Sequence, residues 1–142
     1  MPMQDPDCIF CKIAAGSIPS LRVFESEACL AFLDINPLAP GHTLLIPKHH
    51  CQDIRDIPAD VLAELTSHLP RLAEAVIQSV NATGLNLLQN TGASSGQAVF
   101  HLHFHLIPRI ERDGLGYRWN AGQYEPGRAE AMQTTLRTHL EE

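Results

Sequence analysis

No stretch of this sequence approaches the roughly 20 consecutive apolar residues that a membrane-spanning helix needs. Apolar runs such as ACLAFL (28–33) and LLIP (44–47) are far shorter. The start, MPMQDPDC, lacks both the basic residues and the apolar stretch of a secretory leader, so the expected location is the cytoplasm, with no membrane partner. Positive charge is scarce: 10 Lys and Arg stand against 16 Asp and Glu, a net charge of -6. Such a surface is ill suited to gripping a nucleic-acid backbone, so no nucleic-acid partner is expected, although a small phosphate ligand needs only a local positive site. No GxxxxGK[ST] pattern occurs, which excludes an ordinary P-loop. No internal repeat, low-complexity tract or linker interrupts the chain, so residues 1–142 read as one domain. Only four cysteines are present, Cys8, Cys11, Cys29 and Cys51, and in a reducing compartment these are thiols or metal ligands rather than disulfides.

What is present is an α+β pattern. Asp7 can cap a short helix from Cys8 to about Ala15, ended by Gly16 and Pro19. Strand-like runs follow at 22–25, 29–34 and 42–48, short enough for an antiparallel meander. From Pro58 to about Asn81 apolar residues recur at three- and four-residue steps, the helical period, with Pro70 predicting a break near residues 67–69. A fourth strand is expected at 85–90 and a long fifth at 97–107, closed by Pro108. The tail from Pro126 to Glu142 reads as a helix with Ala131, Met132, Leu136 and Leu140 on a moderately apolar stripe.

The fifth strand carries HLHFHLIPR (101–109), histidines at every second position. On a strand these share one face, with about 6–7 Å between successive Cα atoms, while Leu102, Phe104 and Leu106 face the core. A polar strand face that is rich in imidazole by chance is the bland reading. Zinc is a stronger one, but its bonds to nitrogen are about 2 Å long and the outer histidines begin about 13 Å apart, so at most two share an ion. The third reading is catalytic. NTGASSGQAV (90–99), directly upstream, is a small-residue loop whose backbone N–H groups can approach an anion, which favours phosphoryl chemistry beside an attacking imidazole. Adjacent imidazoles lower one another's pKa, so a neutral, nucleophilic histidine is expected at pH 7.

The motifs HLHFHLI, the preceding Asn-x-Gly-x-x-x-Gly-Gln loop, CIFCKIAAGSIPS and AFLDINPLAPGHTLLIPKHH together resemble the histidine triad superfamily, in its branch of histidine triad nucleotide-binding proteins. The resemblance covers roughly residues 7–109, leaving 110–142 as tail and helix. It implies a five-stranded antiparallel sheet with two main helices, continued across a homodimer, and cleavage at the α-phosphate of a nucleotide through a covalent nucleotidyl-histidine. By that resemblance His103 is the nucleophile and His105 its partner at the phosphate. Asp34 would hold the ribose hydroxyls, and Phe32 and Ile35 the base, with core packing an even alternative for both. Asn90, Gly96, Gln97, Ala98 and His105 would surround the α-phosphate. Many relatives carry Ser or Thr where this chain has Ala98, so a hydroxyl near the leaving group is missing.

Cys8-x-x-Cys11 alone fits chance, redox or metal use. Some relatives with this pair bind zinc with the first triad histidine and the histidine after IPK, which implies a structural Cys2His2 site of Cys8, Cys11, His50 and His101, closed to substrate. Cys51 is a rival ligand, His50 a rival proton relay, and His42, His68 and His139 receive no role. The expected activity is therefore that of a nucleotide hydrolase or nucleotidyl transferase acting on purine (AMP- or GMP-type) nucleoside 5'-phosphoramidates, without a catalytic metal. The alternatives are a dinucleoside polyphosphate hydrolase, a zinc-stabilised nucleotide-binding module with little turnover and, disfavoured by geometry, a zinc hydrolase.

Overall fold

The computed structural model describes residues 4–116 and 122–140. Five strands, β1 (Arg22–Glu25), β2 (Cys29–Leu33), β3 (Thr43–Pro47), β4 (Gly84–Gln89) and β5 (Phe104–Arg109), form one antiparallel sheet in the order β1-β2-β3-β5-β4. Helix α1 (Ile9–Ala15) covers one face, and α2 (Ala59–Ser67) with α3 (Leu69–Val80) covers the other. The alternating side chains of β2 and β3 explain this sandwich. Leu30, Phe32, Leu44 and Ile46 pack with Phe10 and Ile13 of α1, whereas Ala31 and Leu45 pack with Leu65, Leu72 and Val76 of the other helices. Because both faces are covered, these strands are apolar at nearly every position. In α4 (Arg128–Leu140) residues 128–139 are exposed, Met132 and Leu136 included. Among the described residues no helix is long and apolar enough to cross a membrane. Trp119 lies outside the described residues.

Two local expectations are corrected, and the expected helix break is met. Cys8, not Asp7, caps α1: its backbone is extended and its Sγ accepts the Cys11 N–H at 3.4 Å, while the Asp7 N–H turns back to Asp5. The break at Pro70 divides the long helix completely, with His68 as the joint between α2 and α3. The fifth strand begins at Phe104 rather than residue 97, and runs through Pro108 to Arg109. Upstream, the backbone is engaged elsewhere, the Leu102 N–H donating to Cys51 O at 2.8 Å. Downstream, pairing with β3 ends at Leu106, so beyond it β5 pairs with β4 alone and Pro108 costs no ladder bond on its open side.

Candidate active site and metal cluster

His101 and His103 thus precede the strand, yet the alternation of faces survives. Leu102 is fully buried with α2 and α3, while Phe10 of α1 stands edge-on to the His101 and His103 rings at 5.9 and 5.1 Å. His103 and His105 open on a cavity of about 430 Å³ between α1, the end of β2 and the loop at 96–99. Phe32, Asp34, Ile35, Gly96 and Ala98 line the same cavity. Phe32 serves both alternatives, being 4% exposed in the core and also on the cavity wall, whereas Ile35 is 79% exposed and has no core role.

Hydrogen bonds fix the tautomer of each imidazole. A carbonyl oxygen only accepts, so the 2.7 Å contact between His103 Nδ1 and His101 O places the proton on Nδ1 and leaves Nε2 with its lone pair. The 2.8 Å contact of His101 Nε2 with Pro47 O likewise leaves the lone pair on His101 Nδ1. His42, given no role above, supplies the third link. Its Nδ1 accepts the Leu38 N–H at 3.1 Å, so Nε2 carries the proton and donates to His105 Nδ1 at 2.9 Å. His105 then keeps its own proton on Nε2. Thus the neutral pair offers a nucleophilic nitrogen on His103 and a hydrogen-bond donor on His105. His42 is 2% exposed, and Asp34 Oδ2 lies 3.7 Å from its Nε2 while Oδ1 accepts the Asn36 N–H at 2.8 Å.

Neutrality has a different main cause from the one expected. Burial, ahead of like charge, pushes His105 down to about 4, and burial lowers His42 and His103 as well. The neighbouring His103 and His42 add to the shift of His105.

Two residues expected at the phosphate, Gln97 and Asn90, are not among those that line the cavity. Gln97 is 4% exposed, and its amide is fully engaged: Oε1 accepts the Gly92 N–H at 2.8 Å, and Nε2 donates to Gln52 O at 2.8 Å and Val99 O at 3.1 Å. No hydrogen of that amide is left for a ligand, so Gln97 braces the loop. The half-buried Asn90 lies beside Gly96, where an added Cβ would meet its Nδ2 at 3.4 Å; with φ at +107°, this position favours glycine on conformational grounds too.

The Cys2His2 residues converge. Cys8 Sγ and Cys11 Sγ lie 3.4 and 3.5 Å from His101 Nδ1, Cys11 Sγ is 3.4 Å from His50 Nδ1, and the two Nδ1 atoms are 3.2 Å apart. Ligands about 2.0–2.3 Å from one tetrahedral ion have edges of this order, and the Pro47 carbonyl has already selected the His101 tautomer that presents a lone pair to the cluster. The donor set therefore fits zinc. Cys51 stays out of the cluster, buried beside α2 and α3 with its thiol pushed up to about 12 by burial.

The family model described as HIT domain matches residues 15–112. The chain belongs to the HIT domain family. Among its relatives, "Adenosine 5'-monophosphoramidase HNT1" of Saccharomyces cerevisiae is 41% identical over 138 residues, covering 96% of this chain and 85% of the relative. "Adenylylsulfatase HINT3" of Arabidopsis thaliana is 45% identical over 109 residues, or 77% of this chain, and the match spans only 55% of that longer protein. A HIT family crystal structure from Bacillus subtilis superposes with a TM-score of 0.87 at 39% identity, covering 93% of this chain and 96% of that one. A zinc-bound histidine triad family protein from Mycobacterium smegmatis gives a TM-score of 0.73 at 36% identity, covering 94% and 97%.

Proposed function

We propose that this HIT protein is a nucleotide hydrolase or nucleotidyl transferase that cleaves at the α-phosphorus of purine nucleoside 5'-phosphoramidates. The observation that carries the reading is the pair of complementary tautomers in one cavity, a lone pair on His103 Nε2 and a donor on His105 Nε2. The names of the yeast and Arabidopsis relatives favour AMP-type substrates. In the proposed course His103 Nε2 attacks the α-phosphorus in line, an N–P bond forms, and the bond to the leaving amine breaks as that amine takes up a proton from solvent. Water then attacks the phosphorus and gives a proton back to solvent, the N–P bond breaks, and the nucleoside monophosphate leaves with His103 Nε2 free again. The His105 Nε2–H and the backbone N–H of Ala98 stabilise oxygen charge during both steps, the N–H groups of Gly96 and Gln97 being donated to Ala93 O and Gly92 O; Asp34 holds the ribose hydroxyls, and Phe32 and Ile35 flank the base.

Cys8, Cys11, His50 and His101 would hold zinc, which supplies a closed structural cross-link between α1, the segment after β3 and the histidine run. The zinc-bound Mycobacterium relative supports that assignment. The free edge of β4, with Leu87 and Leu88 exposed, supports a homodimer that continues the sheet. A second reading, a nucleotide-binding module with little turnover, is favoured by Ala98, which lines the cavity without a hydroxyl for the leaving group.

Mass spectrometry after rapid mixing with adenosine 5'-phosphoramidate separates the two. The enzyme reading expects a transient adenylyl adduct on His103 and AMP release, both lost in His103→Ala with the fold retained. AMP binding without adduct or turnover establishes the module, and turnover by His103→Ala refutes the assigned nucleophile.

A further inference from the structure

Gln97 lies between two residues that line the cavity, Gly96 and Ala98, yet its own side chain points into the protein and is satisfied there. Two of its three hydrogen bonds, to Gly92 N–H and Val99 O, close the 92–99 loop on itself. The third crosses to Gln52 O at 2.8 Å, in the segment that carries the cluster residue His50. The adjacent carbonyl, Cys51 O, accepts the Leu102 N–H at 2.8 Å, so consecutive carbonyls after His50 hold the loop and the histidine run. The segment itself is stiff, because the N–H groups of Gln52 and Asp53 both donate to the Asp56 carboxylate at 2.9 Å. A displacement of His50 therefore reaches the loop through one short covalent stretch and one buried amide.

We infer that Gln97 is a positioning residue that couples the Cys2His2 cluster to the phosphate-binding loop, so that metal binding at His50 raises affinity for the nucleotide phosphate without the metal touching it. This coupling rests on the nucleotide reading above. Coupling between two sites is a free energy, and non-additivity of two perturbations measures it.

The test measures AMP affinity by calorimetry for the unmutated chain and Gln97→Met, an isostere without hydrogen bonds, each zinc-loaded and chelator-stripped, with bound zinc measured separately. Stripping zinc from the unmutated chain is expected to weaken AMP binding roughly tenfold, and Gln97→Met to do about the same while retaining one zinc per chain. Stripping zinc from Gln97→Met should add less than about threefold. Wild-type AMP affinity in zinc-loaded Gln97→Met, or losses that multiply in full, overturns the coupling. Hydrogen exchange on the unmutated chain gives a reading free of folding defects: zinc should slow exchange at 92–99 as well as at 48–53, and an unchanged 92–99 loop overturns the inference. Absence of AMP binding by the zinc-loaded unmutated chain instead overturns the nucleotide reading itself, and the coupling with it.

Discussion

Replacing His42 by Asn isolates the tautomer relay. The Asn Oδ1 can take the place of imidazole Nδ1 as acceptor for the Leu38 N–H, but nothing replaces the Nε2–H that donates to His105 Nδ1 across 2.9 Å. His105 Nδ1 is then left without a donor, which costs about 1–3 kcal/mol for a buried polar atom. Moving the proton from Nε2 to Nδ1 lessens that cost, because the negative Asp34 carboxylate, within 4.8 Å in the same cluster, attracts it electrostatically. The relieved state has lost its donor at Nε2, so the penalty falls on transition-state stabilisation rather than on the fold. Expressed in rate, about 1–3 kcal/mol is a drop in kcat of roughly 5- to 150-fold, with KM little changed. Steady-state kinetics with adenosine 5'-phosphoramidate should show that split, and His42→Gln, whose amide N–H reaches the Nε2 position, should recover most of kcat. If His42→Asn keeps kcat within about twofold, or His42→Gln falls as far as Asn, the relay is wrong.

Two further outcomes follow from burial and from the cavity wall. Burial holds His105 at about 4 against an ordinary 6.5, so the unfolded chain binds the extra proton between these values, and the stability contributed by the neutral ring is complete above about 6.5 and lost as pH falls towards 4. Thermal denaturation should show a loss of up to about 2 kcal/mol near pH 5 from this ring, and a melting temperature unchanged or rising between pH 7 and 5 contradicts the assignment. Ala98→Ser restores a hydroxyl to the cavity, and should raise kcat for amine-leaving substrates by roughly 2- to 10-fold while binding of AMP stays constant; an unchanged or lower kcat shows that the hydroxyl has no part in protonating the leaving group.

The sheet and its helices were legible because their signals are local. Two-sided burial writes CLAFL and TLLIP as unbroken apolar runs, and Pro70 marks a helix break wherever the chain goes afterwards. The start of β5 was not legible, since whether residues 97–103 pair as a strand depends on Cys51 and Gln52, which lie about fifty residues away and take the Leu102 N–H and the Gln97 amide. The same holds for His42. Its partnership with His105 follows from the β3–β5 register, in which Leu44 faces His105 and His42 lies two residues along on the same face. No property of GHTLLIP in isolation carries that register.

The histidine row shows why spacing alone could not divide its labour. Three imidazoles at alternate positions are chemically identical until something fixes their protons, and here the agents are backbone groups: Pro47 O for His101, His101 O for His103, and the Leu38 N–H acting through His42 for His105. Each contact withdraws one ring nitrogen and leaves the other for chemistry, giving a ligand nitrogen towards two thiols, a nucleophilic nitrogen and a donor nitrogen in turn. The middle contact also ties the first two tasks together, because the residue whose Nδ1 faces Cys8 and Cys11 is the one whose carbonyl orients His103. A displacement of His101 must therefore move both, so the cluster that would hold zinc and the proposed nucleophile share one backbone unit even though no metal takes part in the proposed phosphoryl transfer.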